Sequence, residues 1–174
     1  MMTRNQSIIV DMERCVGCGA CAVACMDQND LLPERGETSC RRIYQMEYTD
    51  ERDAVIQYLS AGCQHCDDSP CLIACPTGAI YRDERSGATL VDRDRCIGCH
   101  SCALACPFGT PRYDADDRML KCNLCAGRVE AGMDPACVKA CAFGALNFGD
   151  PNRLQDDKES RYANGLAGAF ARTR

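Results

Sequence analysis

The sequence predicts an α+β fold in which short helices and paired strands are assembled around cysteine-rich loops. Three observations predict it. Sixteen of the seventeen cysteines fall into four quartets. Short apolar runs that read as strands flank those quartets, and part of the chain repeats itself. In Val10–Cys25 and Val91–Cys106, ten of sixteen positions are identical, which marks an internal duplication.

The organising stretch runs from Cys63 to Cys106. Its second half, Cys96, Cys99, Cys102 and Cys106, has the spacing C-x2-C-x2-C-x3-C followed by Pro107. Bacterial ferredoxins use that run to hold a four-iron, four-sulfur cubane, with the fourth cysteine reaching across to a neighbouring cluster. Cys63, Cys66, Cys71 and Cys75 have a looser spacing and are also followed by a proline, Pro76. The first quartet, Cys15, Cys18, Cys21 and Cys25, repeats the tight spacing after the strand-like Ser7–Val10, with Met26 where a proline stands elsewhere. The fourth, Cys122, Cys125, Cys137 and Cys141, has eleven residues between its second and third members. Its Asp134-Pro135-Ala136-Cys137 and Gly144-Ala145-Leu146 match Ser69-Pro70-Cys71 and Gly78-Ala79-Ile80 around the second quartet. Glycines inside the tight loops, Gly17 and Gly98, let the backbone wrap a cluster closely.

Between the quartets the strand signals are short. Pro76–Tyr81 reads as a turn and then a strand, and Thr89–Asp92 as the returning strand, with Ser86-Gly87 as the turn. Arg42–Tyr48 alternates polar and apolar residues, Ala54–Leu59 is β-prone, and Thr49–Asp53 separates them. This predicts a β-hairpin inserted on the cluster scaffold at about residues 41–59. From Asp150 onward the chain is polar with a small-residue end, and it reads as an irregular C-terminal tail over 150–174, an arm for docking on another subunit.

Seventeen cysteines in 174 residues would suit a disulfide scaffold by density alone. The odd number, the close spacing and the lack of a secretory leader argue for metal ligation in a reducing compartment instead. A net charge of −5 disfavours nucleic acid and suits a basic protein partner. No apolar stretch approaches the roughly 20 residues of a membrane helix, so no direct membrane span is expected. Zinc held by CxxC pairs is the competing metal, and the fourth quartet alone fits a zinc ribbon. Three closely spaced ligands followed by a fourth exceed what a single tetrahedral ion needs, so the other quartets favour cubanes. Cys40 lies outside the quartets and reads as a structural thiol, not a ligand. His65 and His100 lie inside quartets, where they read as supporting or exposed residues. Arg14, Arg95 and Lys121 each precede a quartet and read as solvated residues that offset cluster charge. No phosphate-binding loop or nucleophile–base pair accompanies the cysteines, which points to conduction of electrons and not to bond chemistry.

With these motifs in view, the sequence resembles the four-cluster ferredoxin-like electron-transfer subunits of molybdopterin or tungstopterin oxidoreductases, the dimethyl sulfoxide reductase iron-sulfur subunit family. The match covers roughly residues 7–149. It rests on Cys63-Gln64-His65-Cys66 through Cys75–Ile80, Asp94–Cys99, Ala105-Cys106-Pro107-Phe108-Gly109, and Lys121–Cys125 through Pro135-Ala136-Cys137. The resemblance implies four 4Fe-4S clusters in two interleaved bacterial-ferredoxin-like domains. One domain would span 60–115 and the other 1–59 plus 116–149. The implied ligand sets are Cys63, Cys66, Cys71 and Cys106; Cys96, Cys99, Cys102 and Cys75; Cys15, Cys18, Cys21 and Cys141; and Cys122, Cys125, Cys137 and Cys25. Two sequential ferredoxins split near residue 85 fit the internal repeat equally well, and only the resemblance chooses between the two.

Ala142 departs from the family in replacing a proline, and the sequence shows no C-terminal membrane helix of the kind formate dehydrogenase members carry. The expected role is therefore not catalytic on its own. The chain would relay electrons between a molybdenum- or tungsten-pterin catalytic subunit and a flavin subunit or other redox partner. A free-standing polyferredoxin carrier is the alternative, and a zinc-stabilised interaction module the third reading. A cytoplasmic location is expected, with export on a partner bearing a twin-arginine leader as the other route.

Overall fold

A computed structural model describes residues 6–49 and 54–172. Its strands pair in four antiparallel two-stranded sheets, and the order of pairing places the clustered cysteines. Strand β1 (Ser7–Val10) leads into the first quartet, whose last two cysteines lie on helix α1 (Ala20–Gln28). A long hairpin follows, with β2 (Arg42–Thr49) against β3 (Ala54–Ala61). The expected hairpin is thus present, while residues 50–53 of its turn lie outside the described residues. Helix α2 (Pro70–Ile73) begins on Pro70, where a missing N–H costs nothing. Strands β4 (Ile80–Arg82) and β5 (Thr89–Val91) then pair in register Ile80↔Val91. After α3 (Ser101–Ala105), β6 (Arg112–Tyr113) pairs with β7 (Met119–Leu120). Helices α4 (Ala126–Glu130) and α5 (Ala136–Lys139) lead to β8 (Leu146–Gly149).

Strand β8 returns to β1, with Val10 opposite Leu146. The β1–β8 and β4–β5 pairs are built alike. In each, the strand that enters a tight quartet lies against the strand that leaves a looser one. Asp11 N donates to Ala145 O at 2.7 Å, and Asp92 N to Ala79 O at 2.8 Å. The duplicated arginines repeat the pattern: Arg14 Nη1 donates to Gly144 O at 3.4 Å, and Arg95 Nη2 to Thr77 O at 2.8 Å. The duplication seen in the sequence is therefore a duplication of strand pairing, and the two ends of the chain meet as its two middle segments do.

Apolar burial is divided among small clusters, and cysteines belong to each. Cys21, Cys137 and Leu146 form one, Ile80, Cys102 and Met119 another, and Cys25, Leu31, Cys40 and Leu120 a third. With no tryptophan and only ten Phe and Tyr residues, no single large aromatic core is built. A metal group bound by the cysteines then contributes directly to folding.

The C-terminal segment is not the irregular tail expected from its polarity. It forms a helix, α6 (Pro151–Arg172). Pro151 starts it in the position proline favours, and the Asp150 carboxylate accepts from Asn152 N at 2.9 Å, satisfying one of the unpaired first-turn amides. Polar composition suggests an arm without structure, but Ala, Leu, Lys, Glu and Gln in this stretch are good helix formers.

Candidate functional site

The tight loops present their cysteines through left-handed glycines. Gly17 has φ +70° and Gly98 φ +65°. A Cβ on Gly98 would stand 2.8 Å from Asp117 O, and one on Gly17 would collide with the Tyr58 ring. The second contact presses the inserted hairpin against the first quartet. Each loop then turns into a short helix, and the first three thiols of each tight quartet, with two residues between neighbours, face one space.

Three such spaces recur at similar size. Cys63, Cys66, Cys71 and Cys106 line a recess with ≈ 360 Å³ of empty space, part of it open to solvent. Cys75, Cys96, Cys99 and Cys102 line one of ≈ 320 Å³ on the same measure. Cys15, Cys18, Cys21 and Cys141 line one of ≈ 330 Å³. In every case three cysteines come from one quartet and the fourth from another. Like recesses with equal donor sets point to one kind of occupant. Among the described residues no three His, Cys, Asp or Glu groups converge on a single ion-sized point. The thiols instead ring a space, as a cage with a separate iron corner for each thiolate requires.

The remaining quartet members meet in a more closely packed setting. Cys25 packs with Leu120 and Cys122, and the charges of Cys125 and Cys25 act on Cys137. Burial pushes Cys122 up to about 12 and Cys137 up to about 11, and raises Cys125 as well. A hydrogen bond from Cys40 holds Cys25 down to about 6 and pushes Cys40 itself well up, with burial adding to the rise. Cys40 is thus buried beside Cys25, supporting a quartet thiol from outside the quartets.

Donors to sulfur are distributed through all four groups. Backbone amides of His65, Met119, Leu124 and Ala145 point at Cys63, Cys96, Cys122 and Cys141 over 3.2–3.5 Å. Hydroxyls of Thr77, Thr110 and Tyr113 lie 3.6, 3.5 and 3.1 Å from the sulfurs of Cys75, Cys106 and Cys102. Hydrogen bonds to cluster sulfurs are one of the levers on reduction potential. The tyrosine ring also stacks on His100 at 3.7 Å between centroids.

Several residues depart from their sequence-level reading. Lys121 is not a solvated charge. It is 7% exposed, and its Nζ donates to Thr89 O and Cys122 O. His65 is buried, its Nδ1 accepts from Thr89 N at 3.1 Å, and burial together with the charges of Lys121 and Arg82 lowers it to about 3. Arg41 and Ser60 are buried at the foot of the hairpin, and sequence reasoning misses both. No spacing rule marks them, because their partners are set by hairpin register and by a distant helix.

Known proteins share these features. The 4Fe-4S dicluster domain family matches residues 54–151, and the 4Fe-4S binding domain family matches residues 8–25. The chain is 40% identical over 163 residues to the B subunit of the anaerobic dimethyl sulfoxide reductase of Escherichia coli, covering 88% of this protein and 78% of that one. It is 41% identical over 166 residues to the thiosulfate reductase electron transfer subunit PhsB of Salmonella typhi, covering 92% and 82%. It is 36% identical over 171 residues to the iron-sulfur subunit of nitrate-inducible formate dehydrogenase of Escherichia coli, covering 89% and 58%. Among the described residues no helix is long and apolar enough to cross a membrane. The chain belongs to the dimethyl sulfoxide reductase iron-sulfur subunit family, the 4Fe-4S electron-transfer chains of molybdopterin oxidoreductases.

Proposed function

We propose that the chain carries four 4Fe-4S clusters and relays electrons between a molybdenum- or tungsten-pterin catalytic subunit and a flavin subunit or other redox partner. The observation that carries this reading is the crossing of quartets at each of three like-sized cavities. One cluster is held by Cys63, Cys66, Cys71 and Cys106, and the next by Cys96, Cys99, Cys102 and Cys75. A third is held by Cys15, Cys18, Cys21 and Cys141, and the fourth by Cys122, Cys125, Cys137 and Cys25. The pairing of β1 with β8 and of β4 with β5 supports two interleaved ferredoxin-like domains, 60–115 and 1–59 plus 116–149. Bound 4Fe-4S clusters supply one-electron oxidation and reduction. The chain's own residues hold the thiolates, aim amides and hydroxyls at sulfur, and keep water from Cys21, Cys25 and Cys137.

Exposed Val16, Val23, Ile97 and Leu104 stand on the cysteine loops or the helices that follow. They suit apolar contact with a permanent partner, and helix α6 is the further docking element in this reading. Iron analysis of the anaerobically purified protein tests the cofactor count, with about sixteen irons per chain expected. Gel filtration of native extract tests the partnership. Co-elution with a large pterin-containing subunit supports it, and a lone 19.0 kDa species would turn the reading to a free polyferredoxin. Zinc with little iron would remove the redox assignment for this chain.

A further inference from the structure

The foot of the inserted hairpin carries a buried cation whose partners lead to a cluster thiol. Arg41 is 5% exposed and Ser60 1% exposed. The Arg41 Nη1 donates to Ser60 O at 2.9 Å and to Ser60 Oγ at 3.1 Å. Ser60 Oγ lies 3.2 Å from Cys21 Sγ. Guanidinium nitrogens can only donate, so the serine oxygen accepts from Arg41 and its proton is free for the sulfur. A Cys21 thiolate can only accept, which fixes the direction as Arg41 to Ser60 to Cys21. Room for the guanidinium is made by Gly62, where a Cβ would stand 3.1 Å from Arg41 Nη2.

A buried charge is ordinarily paired. Among the described residues no carboxylate forms an ion pair with Arg41. Its polar path leads to a thiol instead, through Ser60 to Cys21 of the first quartet.

We propose that Arg41 and Ser60 are positioning residues through which the inserted hairpin raises the reduction potential of the cluster held by Cys15, Cys18, Cys21 and Cys141. Each cluster gains one electron and hence one negative charge on reduction, taken from a chemical reductant in the test. A fixed positive charge in a medium of low dielectric favours the more negative state. A hydroxyl donating to the ligand thiolate does the same. The inference rests on the ligand sets proposed above, which place Cys21 in this cluster.

The test is a paramagnetic-resonance redox titration of the anaerobically purified complex carrying Arg41→Gln, Arg41→Lys or Ser60→Ala, with iron counted on each sample. In Arg41→Gln that cluster is expected to become harder to reduce by about tenfold in equilibrium constant, or about 59 mV for one electron. Arg41→Lys restores most of that shift, and Ser60→Ala produces a smaller shift in the same direction. The cluster held by Cys75, Cys96, Cys99 and Cys102 stays within error. Unchanged potentials in Arg41→Gln at full iron content would overturn the proposal, as would an equal shift of all clusters. Should Arg41→Gln fail to load iron, Ser60→Ala decides, and an unshifted titration there overturns the relay. A wild-type sample without about sixteen irons would instead overturn the ligand sets.

Discussion

The middle of the chain and its two ends meet the same chemical demand by different means. Around Cys75 and Cys106, burial raises the thiols, but the hydroxyls of Thr77 and Thr110 and nearby amides outweigh it and leave both below their ordinary value. Cys99 is lowered chiefly by its hydrogen bonds with Ser101. These donors lie two or four residues from their cysteine, so a short motif brings its own support. At the ends, Cys122, Cys125 and Cys137 are raised by burial; the leading opposing charge is Lys121 at Cys122, Arg128 at Cys125 and Arg41 at Cys137. Local cations act there too, and the insertion adds a charge from a distant element.

That contrast is open to attack, beginning with its largest expected effect. Cys75→Ser combined with Cys96→Ser tests whether the middle quartets cross. Shared ligation predicts a loss of about four irons from the doubly substituted protein. Sequential ligation predicts about eight, and iron analysis separates the two outcomes. The next largest effect concerns the middle core. Met119 is 1% exposed and packs with Ile80 and Cys102. Met119→Ala is expected to cost about 2–5 kcal/mol, read from the denaturant midpoint at which cluster absorbance is lost. A cost below about 1 kcal/mol would show that the bound groups, and not side-chain packing, hold the middle together.

The seam between the regions carries smaller effects. Lys121 ties Thr89 O of β5 to the start of the fourth quartet through Cys122 O. Lys121→Met leaves two carbonyls without that donor, and about 1–3 kcal/mol of stability should go with it. Thermal loss of the visible chromophore measures this, and an unchanged midpoint would mean that the seam is held elsewhere. Smallest of all is the surface pair Arg85–Glu130, at 3.4 Å between the β4–β5 turn and α4. Glu130→Gln should change the same midpoint by under about 1 kcal/mol, as exposed pairs usually do.

The cysteine sites are more legible in the sequence than their surroundings. Cysteine spacing is a local property, and four thiols within a few turns of backbone announce a metal group whatever the rest of the chain does. The hairpin is readable too, because the β-prone run over Arg42–Tyr48 forms β2, although its burial does not alternate. Helix α6 is not, since a polar stretch with a small-residue end carries no apolar stripe from which to read a period. Lys121 looks like a surface charge, because the bonds that allow its burial run to carbonyls, one of them on another element. Arg41 and Ser60 are invisible for the same reason.

Sequence alone therefore determined the kind of group this protein binds, the number of thiols offered to it and the internal duplication, since each depends on residue types at short separations. Tertiary structure decided which quartets share a cavity, through the β1–β8 and β4–β5 pairings, and which cations are buried against the thiols. Those outcomes depend on contacts between residues far apart in the chain, where no local spacing reports which partner will be met.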